Sequence, residues 1–92
     1  MCSVLIVEDT PIVREPLEKL LRYEGFDTVA TSNGVEALEA MRNRTPDVIL
    51  LDVAMPKMNG VEFLHQLRGN DRWREVPVIV LTAVMDSTQL RL

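Results

Sequence analysis

A single cysteine, Cys2, is the only thiol in the 92-residue sequence. One cysteine cannot staple the fold internally, which suits a reducing compartment. Long apolar runs are lacking: none approaches the roughly 20 residues a membrane-spanning helix needs. The N-terminus lacks the basic-then-apolar pattern of a secretory signal, because Glu8 and Asp9 arrive too early. Positive charge is scarce. Ten basic residues against fourteen acidic ones give a net charge of −4, which disfavours a nucleic-acid-binding surface, since phosphate neutralisation supplies most of such affinity. Internal repeats and low-complexity tracts are absent too. The expectation is a cytoplasmic chain that binds neither membrane nor nucleic acid.

What is present is an ordinary globular balance, 47% hydrophobic and 26% charged, which argues against disorder. The length allows one small domain over residues 1–92, with a thin margin of stability. Val4–Val7, Asp47–Asp52 and Val76–Thr82 are continuous apolar runs of the kind that suits strands buried on both faces of a parallel sheet. Asp27–Thr31 is more polar and suits an edge strand. Between the runs the period turns helical. Val13, Leu17, Leu20 and Leu21 form one stripe, with Pro11 in a first turn and Gly25 placed to stop the helix. Pro16 fits a helix interior poorly. Asn33 can cap a second helix through Val35, Leu38 and Met41. Gly60 precedes a third, with Val61, Leu64 and Leu67, which ends at Gly69-Asn70. The order β-α-β-α-β-α-β predicts an α/β fold, a parallel sheet with helices on both faces.

In open parallel sheets, function collects at the carboxyl ends of the strands. There the first run ends in Glu8 and Asp9, the third in Asp52 and the fourth in Thr82. If the first and third strands are neighbours, three carboxylates share one crevice. Their repulsion raises one pKa sharply unless a cation compensates. Magnesium takes hard oxygen ligands and commonly one or two carboxylates plus a phosphate oxygen. The cluster therefore reads as a magnesium site with room for a phosphoryl group. Asp52 is then a candidate nucleophile for an aspartyl phosphate, the backbone carbonyl of Ala54 a further metal ligand, and Thr82 a hydrogen-bond donor to a phosphoryl oxygen. Taken singly these residues have plainer readings: Asp9 as a helix cap, Thr82 as a hydroxyl bonded to backbone. Together on this βα frame, chance explains them poorly.

These residues resemble the receiver domain of two-component response regulators. The likeness runs from Val4-Leu5-Ile6-Val7-Glu8-Asp9 to Leu81-Thr82-Ala83. It is most specific in Asp47–Asp52 followed by Met55-Pro56, Met58 and Gly60. The resemblance implies a flavodoxin-like sheet, a fold whose 2-1-3-4-5 order places function at its switch point. It implies that Asp52 accepts a phosphoryl group from the phosphohistidine of a histidine kinase or phosphotransfer protein. It also implies that Glu8, Asp9, Asp52 and the Ala54 carbonyl hold magnesium, and that Thr82 transmits the change.

A complete receiver continues for about one more helix, strand and helix, within the usual size of a small domain. The sequence is accordingly expected to be a truncated receiver with strand order 2-1-3-4. It lacks the fifth strand with its lysine and aromatic residue, and the fifth helix. Lys57 does not match that lysine. Strand four then becomes an apolar edge, and a homodimer pairing this edge with its twofold mate is the expected remedy. A weaker form exchanges the tail, Met85–Leu92. The leading function is a phosphoacceptor signalling module, not an enzyme with external turnover. The alternative is a phosphorylation-independent interaction module that keeps the receiver shell without the switch. A hydrolase using an aspartyl phosphate lacks a candidate acid or base. Of the remaining residues, His65 is expected to face solvent and Trp73 to pack. Cys2 is expected to be a small buried or terminal residue, and Arg42 and Arg44 to end the second helix.

Overall fold

A computed structural model of the chain describes residues 2–52 and 60–81. In chain order it contains β1 (Ser3–Val7), α1 (Pro11–Tyr23), β2 (Asp27–Thr31), α2 (Gly34–Asn43), β3 (Val48–Asp52), α3 (Gly60–Arg68) and β4 (Val78–Leu81). The strands form one parallel sheet in the order β2-β1-β3-β4. The predicted alternation, strand order and polar edge at β2 are all present.

The helix punctuation follows local chemistry. Pro11 opens α1, where its missing N–H costs nothing. The helix continues through Pro16. It ends at Gly25, whose φ of 96° is easy only for glycine; the Phe26 N–H then reaches back to the Leu21 carbonyl at 3.0 Å. Asn33 caps α2, its side chain accepting the Glu36 N–H at 2.8 Å. Glu36 in turn accepts the Ser32 N–H and hydroxyl, both at 2.9 Å. Helix α3 starts at Gly60 itself rather than after it.

Every residue of β1 is buried, as a strand flanked on both edges and covered on both faces must be. Side chains alternate across the sheet. Leu5, Val7, Ile49 and Leu51 join Ala37 and Met41 of α2, Phe63 and Leu67 of α3, and Trp73 and Val76 in one core. Val4 and Ile6, also buried, point to the opposite face, on which α1 lies.

Two helix faces differ from expectation. In α2 the inward residues are Ala37 and Met41, while Val35 is 60% exposed. Small Ala37 lets the helix approach the sheet closely, and Val35 rotates away. In α1 the expected stripe contributes no fully buried residue, and Val13 and Leu20 remain exposed. The helix lies over β1 and β2 and leaves a cleft of about 550 Å³ between Leu17 and Leu20 on one side and Leu81 of β4 on the other. As expected, Trp73 packs in the core and His65 faces solvent. Cys2 is exposed. Arg42 lies in the last turn of α2, and Arg44 caps it and pairs with Asp27 on the β2 edge.

Candidate functional site

The site is a consequence of register. Val7 of β1 lies opposite Leu51 of β3, so the next residues, Glu8 just past β1 and Asp52 at the end of β3, come to the same level at the carboxyl end of the sheet. Glu8 is held to the neighbouring strand by its N–H, which donates to the Thr31 carbonyl at 3.0 Å. Thr31 is itself fixed by a buried hydroxyl bond to the Ile6 carbonyl at 2.7 Å. Asp9 follows in the turn into α1. One carboxylate oxygen from each of Glu8, Asp9 and Asp52 lies within 4.8 Å of the others. Among the described residues no other set of three His, Cys, Asp or Glu side chains converges in this way.

The turn into α1 is built from the same residues. The Thr10 N–H donates to Glu8 Oε2 at 3.1 Å, and the Thr10 hydroxyl donates to Asp9 Oδ1 at 3.3 Å. Asp9 therefore does not serve as the helix cap; Thr10 occupies that position and makes no side-chain cap bond. Arg14 reaches back from α1 and donates to the Glu8 main-chain carbonyl at 2.9 Å.

Two of the three carboxylates are out of solvent: Glu8 is 0% and Asp52 1% exposed, while Asp9 is half-buried. Burial pushes the Glu8 carboxyl up from its ordinary 4.5 to about 7, against the lowering effect of the Thr10 N–H. The adjacent Asp52 and Asp9 carboxylates raise it further. Repulsion was expected to raise one pKa in this cluster, and it contributes, but loss of water is the larger cause. Glu8 Oε1 is buried without a hydrogen-bond partner among the described residues. A buried carboxylate oxygen left unpaired is costly. A hard cation would satisfy it and offset the crowded charge. The donor set, all carboxylate oxygen, fits magnesium or calcium better than zinc.

The sheet thus brings together three of the site residues read from sequence. Ala54 and Thr82, together with Lys57 and the tail 85–92, lie outside the described residues. Arg14 was missed by sequence reasoning. A lone arginine in the second turn of an amphipathic helix carries no signal that it will bend back to a strand end.

The family model described as the response regulator receiver domain matches residues 4–91. The polar-differentiation response regulator DivK of Brucella anthropi is 40% identical over 81 residues, covering 88% of this chain and 66% of DivK. The chain thus spans just under two thirds of that relative's length. Among solved structures, the signal receiver domain of a signal transduction histidine kinase from Syntrophus aciditrophicus is 37% identical with a TM-score of 0.83, covering 98% of this chain and 68% of that one. A structure of histidine kinase ThkA in complex with response regulator protein TrrA matches at 32% identity and a TM-score of 0.80, covering 95% of this chain and 73% of that one.

Proposed function

The chain belongs to the response regulator receiver domain family, and from that premise we propose that it accepts a phosphoryl group on Asp52 in a magnesium-dependent reaction. The donor is the phosphohistidine of a histidine kinase or phosphotransfer protein. The observation that carries this reading is the convergence of the Glu8, Asp9 and Asp52 carboxylates at the end of β1 and β3, with Glu8 Oε1 unpartnered. The similarity to a structure that pairs a histidine kinase with a response regulator supports the choice of partner.

In this mechanism an Asp52 carboxylate oxygen attacks phosphorus, a P–O bond forms, and the P–N bond to the donor imidazole breaks. The electron pair of that bond stays on the imidazole nitrogen. Glu8, Asp9, Asp52 and the Ala54 carbonyl would hold the magnesium, which would supply charge to offset the carboxylates and the phosphoryl oxygens. Burial of Asp52 at the foot of the crevice excludes water from the nucleophile on the β3 side. Thr82 donates its hydroxyl to a phosphoryl oxygen. The chain turns over no external substrate, so it is a signalling module rather than an enzyme. The reading places it in the cytoplasm, and no described helix is long and apolar enough to cross a membrane. The acidic balance favours protein partners over nucleic acid. The test is the mass of the intact chain after exposure to a small phosphodonor with magnesium. One added phosphoryl group is expected, lost in Asp52→Ala and without magnesium.

A second reading, a module that self-associates whether or not it is phosphorylated, is favoured by β4. Among the described residues this strand lies at the sheet edge, with Ile79 54% and Val80 48% exposed. No charge and no proline interrupts Val78–Leu81, the usual protections of an edge. The opposite edge, β2, is protected: Asp27 pairs with Arg44, and Arg22 donates to the Thr28 carbonyl at 3.0 Å. The contrast supports antiparallel pairing of β4 with a second copy.

A further inference from the structure

We propose that Arg14 is a positioning residue for the metal site. By holding the Glu8 main-chain carbonyl, it fixes the turn from which Glu8 and Asp9 converge on Asp52. This rests on the metal-site reading above and assigns a role to a residue outside the acidic cluster.

The contact spans six residues, from Arg14 Nη1 to the Glu8 carbonyl at 2.9 Å. It lies just past the end of the β1–β3 pairing, whose last partners are Val7 and Leu51. The Glu8 carbonyl is thus the first beyond β1 and that ladder. The same residue is held through its preceding peptide by the Glu8 N–H, which donates to the Thr31 carbonyl at 3.0 Å. Glu8 is therefore clamped at both main-chain groups, one by a strand and one by a guanidinium. The clamp is immediately followed by Asp9.

Helix stability does not explain an arginine at this place. A helix start favours acidic residues and a capping side chain, and disfavours cations. The first turn of α1 contains no acidic residue, and Thr10 makes no side-chain cap bond. The Thr10 hydroxyl is turned to Asp9 instead. Arg14 follows that first turn, where the helix dipole gives it no advantage. The geometry that accounts for it is the reach to Glu8. Its contact is with the main chain rather than with a carboxylate, so it leaves the carboxylate oxygens available to a cation. Groups that orient metal ligands from behind matter to metal affinity nearly as much as some ligands do.

The sign of one effect separates positioning from simple electrostatics. Arg14 brings a positive charge close to a cation site. By Coulomb repulsion alone, removing it should tighten magnesium binding. If Arg14 positions the turn, removing it should weaken binding instead.

The test is calorimetric titration of the 92-residue chain with magnesium chloride, for wild type, Arg14→Lys and Arg14→Met, with circular dichroism to establish folding. The expected order of Kd is wild type lowest, Lys intermediate and Met highest, with Met weaker by roughly tenfold, as for loss of other ligand-orienting groups. A folded Met variant that binds magnesium as tightly as wild type, or more tightly, overturns the proposal. If the Met variant does not fold, Arg14→Lys decides, because it keeps the charge and alters the hydrogen-bond geometry; wild-type affinity in that variant overturns the proposal. A wild-type chain that binds no magnesium overturns the metal-site reading and this role together. Binding by wild type with unweakened variants overturns the Arg14 role alone.

Discussion

Glu8 and Asp52 are brought side by side by the pairing of β1 with β3: each is the residue that follows a matched pair, Val7 with Leu51. Both are buried, and the Glu8 carboxyl is pushed up to about 7. Two acids next to each other at the end of a sheet are a cost in the metal-free chain. Under the proposed function, a bound cation relieves that cost.

Stability of the metal-free chain should therefore fall as pH rises from about 4.5 to about 7. Glu8 has a raised folded-state pKa, so the folded chain holds a proton that the unfolded chain has released across that window. Its contribution is fully present below the unfolded value and lost as pH rises through the folded one. The full change is on the order of 3 kcal/mol. Urea unfolding in EDTA across this range measures it, and Glu8→Gln should flatten the profile. Saturating magnesium should remove the loss, because it stabilises the ionised carboxylate. A metal-free profile that rises between pH 5 and 7 would contradict the assignment.

Phe63→Ala should cost about 3–5 kcal/mol, because Phe63 is wholly buried in the core with Met41, Ile49 and Leu51. Val35→Ala, on the exposed side of α2, should change stability by less than about 1 kcal/mol. Chemical denaturation of the two variants checks the orientation of both helices. Equal losses would place α2 or α3 wrongly.

If β4 pairs with a second copy, Ile79→Lys should convert that dimer to a monomer. Light scattering coupled to sizing at micromolar concentration is expected to give twice the chain mass for wild type and one chain mass for the variant. A wild-type monomer, or a dimer indifferent to the lysine, would remove β4 as the contact.

The alternation of strands and helices and the acidic residues were legible because they depend on short-range signals, whereas the strand order came from the family resemblance and not from local pattern. Continuous apolar runs marked the buried strands, and each run ended at its polar group, which placed Glu8, Asp9 and Asp52 at the carboxyl end of the sheet. Helix ends were equally local: Gly25 and Asn33 act within their own turns. Helix orientation was less accessible. Periodicity counted Val35 as inward and passed over Ala37, because it weighs hydrophobicity and not the close approach of a helix to a sheet. In α3 the stripe included Leu67, which is in the core, but passed over Phe63, which is buried beside it one turn earlier; several apolar stripes fit so short a helix, and periodicity alone does not choose among them. Arg14 was not legible, since its partner is a main-chain carbonyl six residues away.

The most direct test of the central claim is the intact mass of the chain over time with a small-molecule phosphodonor. Wild type with magnesium should gain one phosphoryl group, and neither Asp52→Ala with magnesium nor wild type in EDTA should gain any. Asp52→Ala should remain folded, because it removes repulsion along with the nucleophile. A wild-type chain that binds magnesium yet never gains mass, or a gain that survives Asp52→Ala, would contradict Asp52 as the phosphoacceptor.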